Sequence, residues 1–165
     1  MQIIRYTCEL EIHENYDSFA EQERELFNAA HSALSDAYAP YSHFRVGAAV
    51  RLENGLLFKG NNQENAAYPS GLCAERVALF YAMANNIGIP PSAIAVTVDY
   101  ARHPNFDKLV SPCGACRQVI AEYEHHFSKP IKIYLLGRGQ KVCVVSSMSD
   151  LLPMLFSGDI LSSYK

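Results

Sequence analysis

Apolar residues recur along this chain at spacings that switch between the period of a helix and the period of a strand, and this alternation restricts the possible folds more than any other feature. The first run of apolar residues at helical spacing ends before Pro40, because proline lacks the backbone N–H that a helix interior needs. Two strand-like runs follow at 44–52 and 56–60, and Asn54-Gly55 between them is typical of a tight hairpin turn. The expected order continues with helix, strand, helix, two strands and helix, which predicts a central sheet with helices on its faces.

Capping and turn residues predict where these elements begin and end. We expect the first helix to begin at a cap formed by Asp17 or Ser18, and the last to begin at Ser149 and include 149–156. The second helix, 74–85, is apolar on nearly every side after its first turn, so we expect it to be buried between layers or between subunits. The remaining expected elements are strands at 93–100, 131–137 and 141–146 and a helix from Cys113.

The N-terminal residues alternate apolar and polar side chains over 4–12, which is the period of a half-buried strand. We interpret this segment as an edge strand or an oligomer contact. It belongs to an extension, 1–17, that precedes the more strongly patterned part of the chain.

The composition indicates a globular protein. Hydrophobic residues make up 49% of the 165 residues and charged residues 19%, so we expect one folded domain over 1–165. The net charge of −3, without a run of Lys or Arg, argues against nucleic acid as a partner. The charged N-terminus does not resemble a signal peptide or an anchor, and no long apolar run predicts a membrane span. We therefore expect a cytoplasmic protein.

Three of the five cysteines lie where helices are expected to begin. Cys113 and Cys116, in "SPCGACRQ", are spaced as a metal-binding pair, and Cys73 precedes the second helix. The free backbone donors and the dipole of a helix start stabilise thiolates. A metal held there by Cys73 leaves Glu75 free to reach the remaining ligand of the metal and to carry protons.

Two other interpretations of these cysteines remain open from the residues alone. The Cys-X-X-Cys pair is also the pattern of a redox-active dithiol, although such a site does not need a distant Cys73 with its glutamate. A closed structural zinc site is the stronger rival, with Cys8 or Cys143 as its fourth ligand. Burial in a strand is the simpler explanation for both of these cysteines.

The motifs together resemble the zinc-dependent cytidine deaminases of the small homotetrameric kind, within the cytidine and deoxycytidylate deaminase superfamily. The resemblance runs from about residue 26 to residue 156 and includes "YAPYSHFRVGAAV", "GNNQENAAYP", "CAER", "SPCGACRQVI" and "LLPMLF". It implies a three-layer α/β/α sandwich with a central mixed five-stranded sheet. It also implies a homotetramer whose sites are shared between subunits.

The resemblance assigns roles to the metal residues. Cys73, Cys113 and Cys116 are implied to hold one Zn²⁺ per subunit, with water in the fourth position and Glu75 as general acid and base. Arg76 is implied to donate hydrogen bonds to the cysteine ligands.

The same resemblance implies a nucleoside-binding surface. Asn62 and Glu64 are expected to bind a ribose hydroxyl, and Phe44 and Phe156, the latter from an adjoining subunit, to pack on the pyrimidine. The complete set of expected substrate contacts is Phe44, Asn62, Gln63, Glu64, Asn65, Ala66, Ala67, Tyr68 and Phe156.

The implied function is hydrolysis of cytidine and 2'-deoxycytidine to uridine and 2'-deoxyuridine with release of ammonia, a step of pyrimidine salvage. The alternatives are a deaminase of a cytosine nucleoside antibiotic such as blasticidin S, and a non-catalytic zinc-stabilised binding protein. The chain departs from the family pattern in its extension at 1–17 and in a long loop at 101–110. Because of this loop, the family pattern does not predict the structure of the rim of the site.

Overall fold

Six strands form one mixed sheet with helices on both faces in a computed structural model, which describes residues 1–162. In chain order the elements are β1 (Glu11–His13), α1 (Glu21–Ala33), β2 (Val46–Leu52), β3 (Leu57–Asn61), α2 (Ala74–Asn85), β4 (Pro91–Val98), α3 (Gly114–Phe127), β5 (Lys132–Leu136), β6 (Val142–Val145) and α4 (Gly158–Ser162). The strand order is β1-β6-β5-β4-β2-β3, in which β4 and β5 are parallel and all other neighbours antiparallel.

The two faces of the sheet carry different helices, which confirms the predicted three-layer sandwich. On one face α1 buries Leu26, Phe27 and Ala30 against the strands. On the other face α2 and α3 share a core that includes Leu79 and Ile120. The first turns of α2 and α3 therefore lie on the same side of the sheet.

Gly60 in β3 determines how closely α2 approaches the sheet. A Cβ at this position would lie 2.6 Å from the carbonyl oxygen of Ala74, so any larger residue would push the first turn of the helix away.

The predicted limits of α2 are confirmed at both ends. The predicted hairpin of β2 and β3 is also confirmed, with Gly55 at a φ of 88° in the turn.

The N-terminal strand is much shorter than predicted. Only Glu11–His13 pairs, antiparallel with β6 at the edge of the sheet, while 1–10 are exposed and form no regular secondary structure. β6 has only four residues to pair with, so the alternating pattern upstream has no partner strand among residues 1–162. The edge position is confirmed, and β1 makes the sheet six-stranded where five strands were predicted.

Both predicted helix caps were wrong. The cap of α1 is Ala20, because the Glu23 carboxylate accepts the Ala20 backbone N–H at 2.9 Å and so fixes the first turn two or three residues later than predicted. Near the C-terminus, Ser147 caps a short 3-10 turn at Met148–Asp150, and the predicted helix at 149–156 does not form. Pro153 removes a backbone donor there, and α4 begins only at Gly158.

The second helix is buried on one side only in the single chain. Ala78, Leu79 and Ala82 face the core, whereas Phe80 and Tyr81 are 40% and 59% exposed. No helix in the part of the chain that the structure describes has the length and apolar character needed to cross a bilayer.

Candidate metal centre and active site

Two helix N-termini meet at a cluster of three cysteines. Cys73 is the N-cap residue of α2, Cys113 is the N-cap residue of α3, and Cys116 lies in the first turn of α3. The Sγ atoms of Cys73 and Cys113 are 3.7 Å apart, and those of Cys113 and Cys116 are 3.5 Å apart. All three sulfur atoms lie within 4.8 Å of one another.

These distances fit a tetrahedral zinc ion. With Zn–S bonds of about 2.3 Å, tetrahedral angles place neighbouring sulfur atoms about 3.8 Å apart. Thiolate is a ligand type that favours Zn²⁺ over hard cations such as Mg²⁺. Three thiolates leave one of four coordination positions for a ligand from outside the chain.

Contacts within the cluster favour a thiolate at Cys73. A hydrogen bond from the Cys116 thiol, together with hydrogen bonds from Arg76 and Cys113, lowers the pKa of Cys73 to about 5. The Arg76 Nη2 lies 3.9 Å from the Cys73 Sγ and 3.5 Å from the carbonyl oxygen of Gly71. Arg76 thus compensates negative charge on the sulfur while being tied to the backbone just before α2.

The other two cysteines lie apart from this cluster. Cys143 is buried in β6, as predicted, whereas Cys8 is exposed and outside any strand, contrary to prediction. Within residues 1–162 the group able to hold a metal contains three cysteines and no fourth His, Cys, Asp or Glu. This arrangement gives no support to a closed structural zinc site.

Glu75 lies in the first turn of α2, two residues after Cys73, and borders the same cavity. Its side chain is buried, with only 5% of the residue exposed. Burial raises the pKa of Glu75, since a carboxylate loses solvation there, and the charge of Cys73 adds to the effect. A raised pKa brings a carboxyl group closer to the working pH of an acid and base catalyst.

The cysteines open into a cavity of about 730 Å³. Its mostly apolar lining with a few polar groups is typical of a small-molecule site. The residues predicted for the site that line it are Phe44, Asn62, Gln63, Glu64, Asn65, Tyr68, Cys73, Glu75, Arg76 and Cys113. Cys116 is buried behind this lining.

Glu64 is held by the loop that carries Phe44. Its carboxylate accepts the backbone N–H of Tyr41 at 2.8 Å and that of Ser42 at 3.3 Å, and it also accepts the Ser42 hydroxyl. The Ser42 hydrogen bond is the main reason that the pKa of Glu64 is lowered. The carboxylate is therefore ionised and fixed at the cavity wall.

Asn62 is bound to the backbone around Phe44. Its Oδ1 accepts the N–H of Val46 at 2.9 Å, and its Nδ2 donates to the carbonyl oxygen of Phe44 at 2.9 Å. In addition, the Phe44 N–H donates to the Ser42 hydroxyl at 3.0 Å. Asn62 thus holds the ring-bearing residue in place, a role that the sequence analysis missed.

Three predicted substrate residues lie outside the cavity of their own chain. Ala66 and Ala67 are exposed, in a turn where the Ala67 N–H donates to the Asn65 Oδ1 at 2.8 Å. Phe156 is 55% exposed, and its carbonyl oxygen accepts from Gln118 at 2.7 Å. The single chain therefore brings together the metal residues and most, but not all, of the predicted substrate contacts.

The sequence analysis also missed several lining residues. They are Tyr41, Ser42, Val46, Gly71, Leu72, Val96, Val110 and Ser111. Ser42 carried a usable signal, since it lies in "YAPYSHFRVGAAV", one of the motifs of the family resemblance, but only Phe44 of that motif was assigned to the site. The apolar lining residues carried none, because a buried valine has the same pattern beside a cavity as beside a core.

A family model described as the cytidine and deoxycytidylate deaminase zinc-binding region matches residues 20–128. This chain belongs to that family. It is 41% identical over 134 residues to a cytidine deaminase of Halalkalibacterium halodurans, covering 81% of this chain and 93% of the relative. A cytidine deaminase of Sporosarcina psychrophila is 39% identical over 137 residues, covering 83% and 93%.

A solved structure gives the same result. The crystal structure of a cytidine deaminase from Burkholderia pseudomallei matches with a TM-score of 0.70 and 41% identity, covering 81% of this chain and 98% of the other. The zinc-binding family and the three converging sulfur atoms together identify the cofactor of this deaminase as one zinc ion per subunit.

Proposed function

We propose that this protein is a zinc-dependent hydrolase that deaminates cytidine and 2'-deoxycytidine to uridine and 2'-deoxyuridine, releasing ammonia. One observation carries the proposal: two members of the three-cysteine cluster, Cys73 and Cys113, line one cavity together with the buried carboxyl of Glu75, an aromatic ring and an ionised carboxylate. These are the parts that hydrolysis of an aminopyrimidine nucleoside needs. We further infer that 1–165 form one deaminase domain.

The chemistry requires that water attack the C4 carbon of cytosine at neutral pH. A zinc ion bound by the three thiolates supplies Lewis-acid activation of water. In our proposal Glu75 accepts one proton of the attacking water and delivers it to ring N3. It then takes the remaining proton from the new hydroxyl on C4 and gives it to the amino group, which leaves as ammonia. One buried carboxyl with a raised pKa thus serves all of these transfers, which balance as water plus cytidine giving uridine plus ammonia.

Arg76 and the two helix N-termini support this chemistry. Three thiolates with Zn²⁺ carry a net charge of about −1, which disfavours ionisation of water. The Arg76 guanidinium beside the Cys73 sulfur and the helix dipoles of α2 and α3 offset part of that charge.

We assign Glu64 to a sugar hydroxyl, with Asn62 completing that side of the pocket. Both line the cavity, and the fixed carboxylate is a strong hydrogen-bond acceptor. A negative charge here also repels a phosphate, so we expect nucleosides to be preferred over nucleotides. Free cytosine lacks the sugar and should be a poor substrate.

We propose that the site is completed in a homotetramer. Phe156 lies outside the cavity of its own chain, so its assignment to the pyrimidine requires an adjoining subunit. The exposed aromatic residues Tyr68, Phe80 and Tyr81 support such an interface, because large apolar side chains are seldom left exposed together. Ala66 and Ala67, exposed beside Tyr68, would face the neighbouring site.

Two further inferences concern substrate and compartment. The relatives at 39% and 41% identity are cytidine deaminases, which favours cytidine over blasticidin S. Five free cysteines, three of which must stay reduced to bind metal, fit a reducing compartment such as the cytoplasm.

The direct test is an ultraviolet assay with purified protein. Cytidine and 2'-deoxycytidine should lose the absorbance of the cytosine ring and release one ammonia per nucleoside, whereas cytosine and CMP should react far more slowly. Zinc content close to one per chain should accompany the activity. Stoichiometric zinc without turnover of either nucleoside would contradict the proposal and support a non-catalytic zinc protein.

A further inference from the structure

We propose that the long loop at 99–110 supports Phe44 from behind, and that Phe106 and Arg138 are positioning residues that control affinity for the pyrimidine. This inference rests on the proposed function, in which Phe44 packs on the substrate ring. The loop includes residues 101–110, which the sequence analysis expects to be long for the family and to lie at the rim of the site.

Arg138 holds the loop in a defined shape. Its Nη2 donates to three carbonyl oxygens of the loop, those of Tyr100 at 2.8 Å, His103 at 2.7 Å and Phe106 at 3.1 Å. Its Nε also donates to the carbonyl oxygen of Phe106, at 3.3 Å. The guanidinium lies 5.6 Å from the centroid of the Tyr100 ring. One side chain from the turn after β5 thus organises a segment almost forty residues earlier.

The loop also bonds internally. The Tyr100 hydroxyl donates to the carbonyl oxygen of Lys108 at 3.0 Å, and the Phe106 N–H donates to the carbonyl oxygen of His103 at 2.9 Å. Tyr100 is buried, with 9% of its surface exposed. These contacts leave the Phe106 ring little freedom to move relative to β4.

Three aromatic rings lie in a row that ends at the cavity. Tyr100 and Phe106 lie with centroids 5.9 Å apart and planes at 23°, and Phe106 meets Phe44 edge-on at 6.1 Å and 86°. Phe44 lines the cavity, whereas Phe106 and Tyr100 do not. Phe106 therefore contacts Phe44 from the side away from the substrate.

Phe44 needs such support because its own hydrogen bonds are made by its backbone. Asn62 and Ser42 bind its carbonyl oxygen and its N–H, and the preceding His43 adopts a φ of 57°, which is uncommon outside glycine. These hydrogen bonds fix the backbone of Phe44 but not the rotamer of its side chain. The edge-to-face contact with the Phe106 ring supplies that second constraint.

The expected consequence is an effect on substrate affinity without an effect on chemistry. Phe106 pairs with Phe44 and does not line the cavity that Cys73, Cys113 and Glu75 border. A change at Phe106 should therefore alter how the ring of the substrate is packed and leave proton transfer intact. Phe106→Leu removes the stabilising contact between two aromatic rings and so loosens Phe44. We expect this substitution to raise KM for cytidine about three- to tenfold, with kcat within about twofold of wild type. The inhibition constant of the product uridine should rise by the same factor, because uridine presents the same ring and sugar.

Two companion variants sharpen the test. Phe106→Tyr keeps the ring edge and should retain wild-type KM. Arg138→Lys keeps the charge but loses the planar fork that spans the carbonyl oxygens, so it should raise KM in the same direction as Phe106→Leu. Phe127→Leu is a matched control, since it removes a ring contact with His126 at the far end of α3 and should leave KM unchanged.

The experiment compares kcat and KM for cytidine among these variants, with the uridine inhibition constant as a binding measurement independent of turnover. Unchanged KM in both Phe106→Leu and Arg138→Lys would overturn the inference, as would a fall in kcat at constant KM. A wild-type protein that does not turn over cytidine would overturn the proposed function itself. A working wild type with unresponsive variants would overturn only the role of the loop.

Discussion

The metal side and the sugar side of the cavity are built by different means. The metal side, defined as Cys73, Glu75, Cys113 and Cys116, rests on the first turns of two helices packed on the same face of the sheet. The sugar side, defined as Ser42, Phe44, Asn62 and Glu64, lies on loops and is held by hydrogen bonds between side chains and backbone.

This contrast teaches which kinetic constant each side should control. Helix termini hold side chains rigidly, which suits groups that must meet the reacting atoms with small tolerance. Loops adapt more easily and suit recognition. We therefore expect substitutions on the metal side to lower kcat and substitutions on the sugar side to raise KM.

The largest effect should follow from removing a metal ligand. Cys116→Ser is expected to lose zinc and to show no turnover above background, because one of the three sulfurs is missing from the site. Metal analysis measures the zinc content, and the ultraviolet assay measures turnover. Cys8→Ser is the matched control, since Cys8 is exposed and outside the cluster, and it should keep both zinc and activity. Full turnover by Cys116→Ser would contradict the role of Cys116 as a zinc ligand and the expectation that substitutions on the metal side lower kcat.

Glu75→Gln separates metal binding from chemistry. The amide cannot carry the proton, so we expect kcat to fall by about 10²- to 10⁴-fold while the zinc content stays at the wild-type level. Glu122→Gln, on the exposed surface of α3, should behave as wild type. Near-normal turnover of the Glu75 variant would exclude its proposed role.

Arg76→Gln should have an intermediate effect. It removes the charge beside the Cys73 sulfur, so we expect turnover or zinc affinity to fall by about 10- to 100-fold, with little change in thermal stability. Competition with a zinc chelator and steady-state kinetics measure the two quantities. A large loss of stability with unchanged kinetics would make Arg76 a purely structural residue.

Glu64→Gln tests the sugar side. Loss of the charge at the proposed sugar hydroxyl contact should raise KM for cytidine about tenfold and leave kcat nearly unchanged, since charged hydrogen bonds are the stronger ones. The same substitution should narrow the difference between cytidine and CMP, because a phosphate is no longer repelled. A fall in kcat at constant KM would contradict the division between the two sides.

Ser42→Ala should have the smallest effect, and it gives a pH signature. The Ser42 hydroxyl stabilises the ionised carboxylate and so lowers the pKa of Glu64 below its usual 4.5. In the wild type, Glu64 therefore stays ionised as the pH falls through 4.5, and binding weakens only below that value. In Ser42→Ala the pKa returns toward 4.5, so KM should begin to rise at a higher pH than in the wild type, with a change of about two- to threefold at pH 7.

That pH profile of KM, measured from pH 7 down to the limit of stability, has a clear contrary outcome. If Ser42→Ala and wild type lose affinity at the same pH, the Ser42 hydrogen bond does not control Glu64.

The metal side could be predicted from sequence, whereas the sugar side could be predicted only in part. Local rules of capping and spacing place Cys73, Glu75, Cys113 and Cys116 at the starts of two helices. The resemblance to the family, rather than local pattern, implies that these two starts, 40 residues apart in sequence, meet at one metal. The contacts of Glu64 with Ser42 and of Asn62 with Phe44 join residues about twenty positions apart across loops. Nothing in local periodicity indicates such pairs.

The fold shows the same limit. The hairpin and α2 were predicted correctly because Asn-Gly and the apolar helical run determine them locally. The N-terminal strand failed because the alternating residues at 4–10 have no partner strand, and the last helix failed because Pro153 interrupts an otherwise apolar run. The role of the 101–110 loop depends on Arg138, which lies beyond α3 and β5.

X-ray absorption at the zinc edge of the purified enzyme tests the central claim most directly. We predict about three sulfur neighbours at about 2.3 Å and a single lighter oxygen or nitrogen neighbour, as expected for a site that keeps one position open beside Glu75. Four sulfur neighbours, or a protein that binds no stoichiometric zinc, would contradict the account.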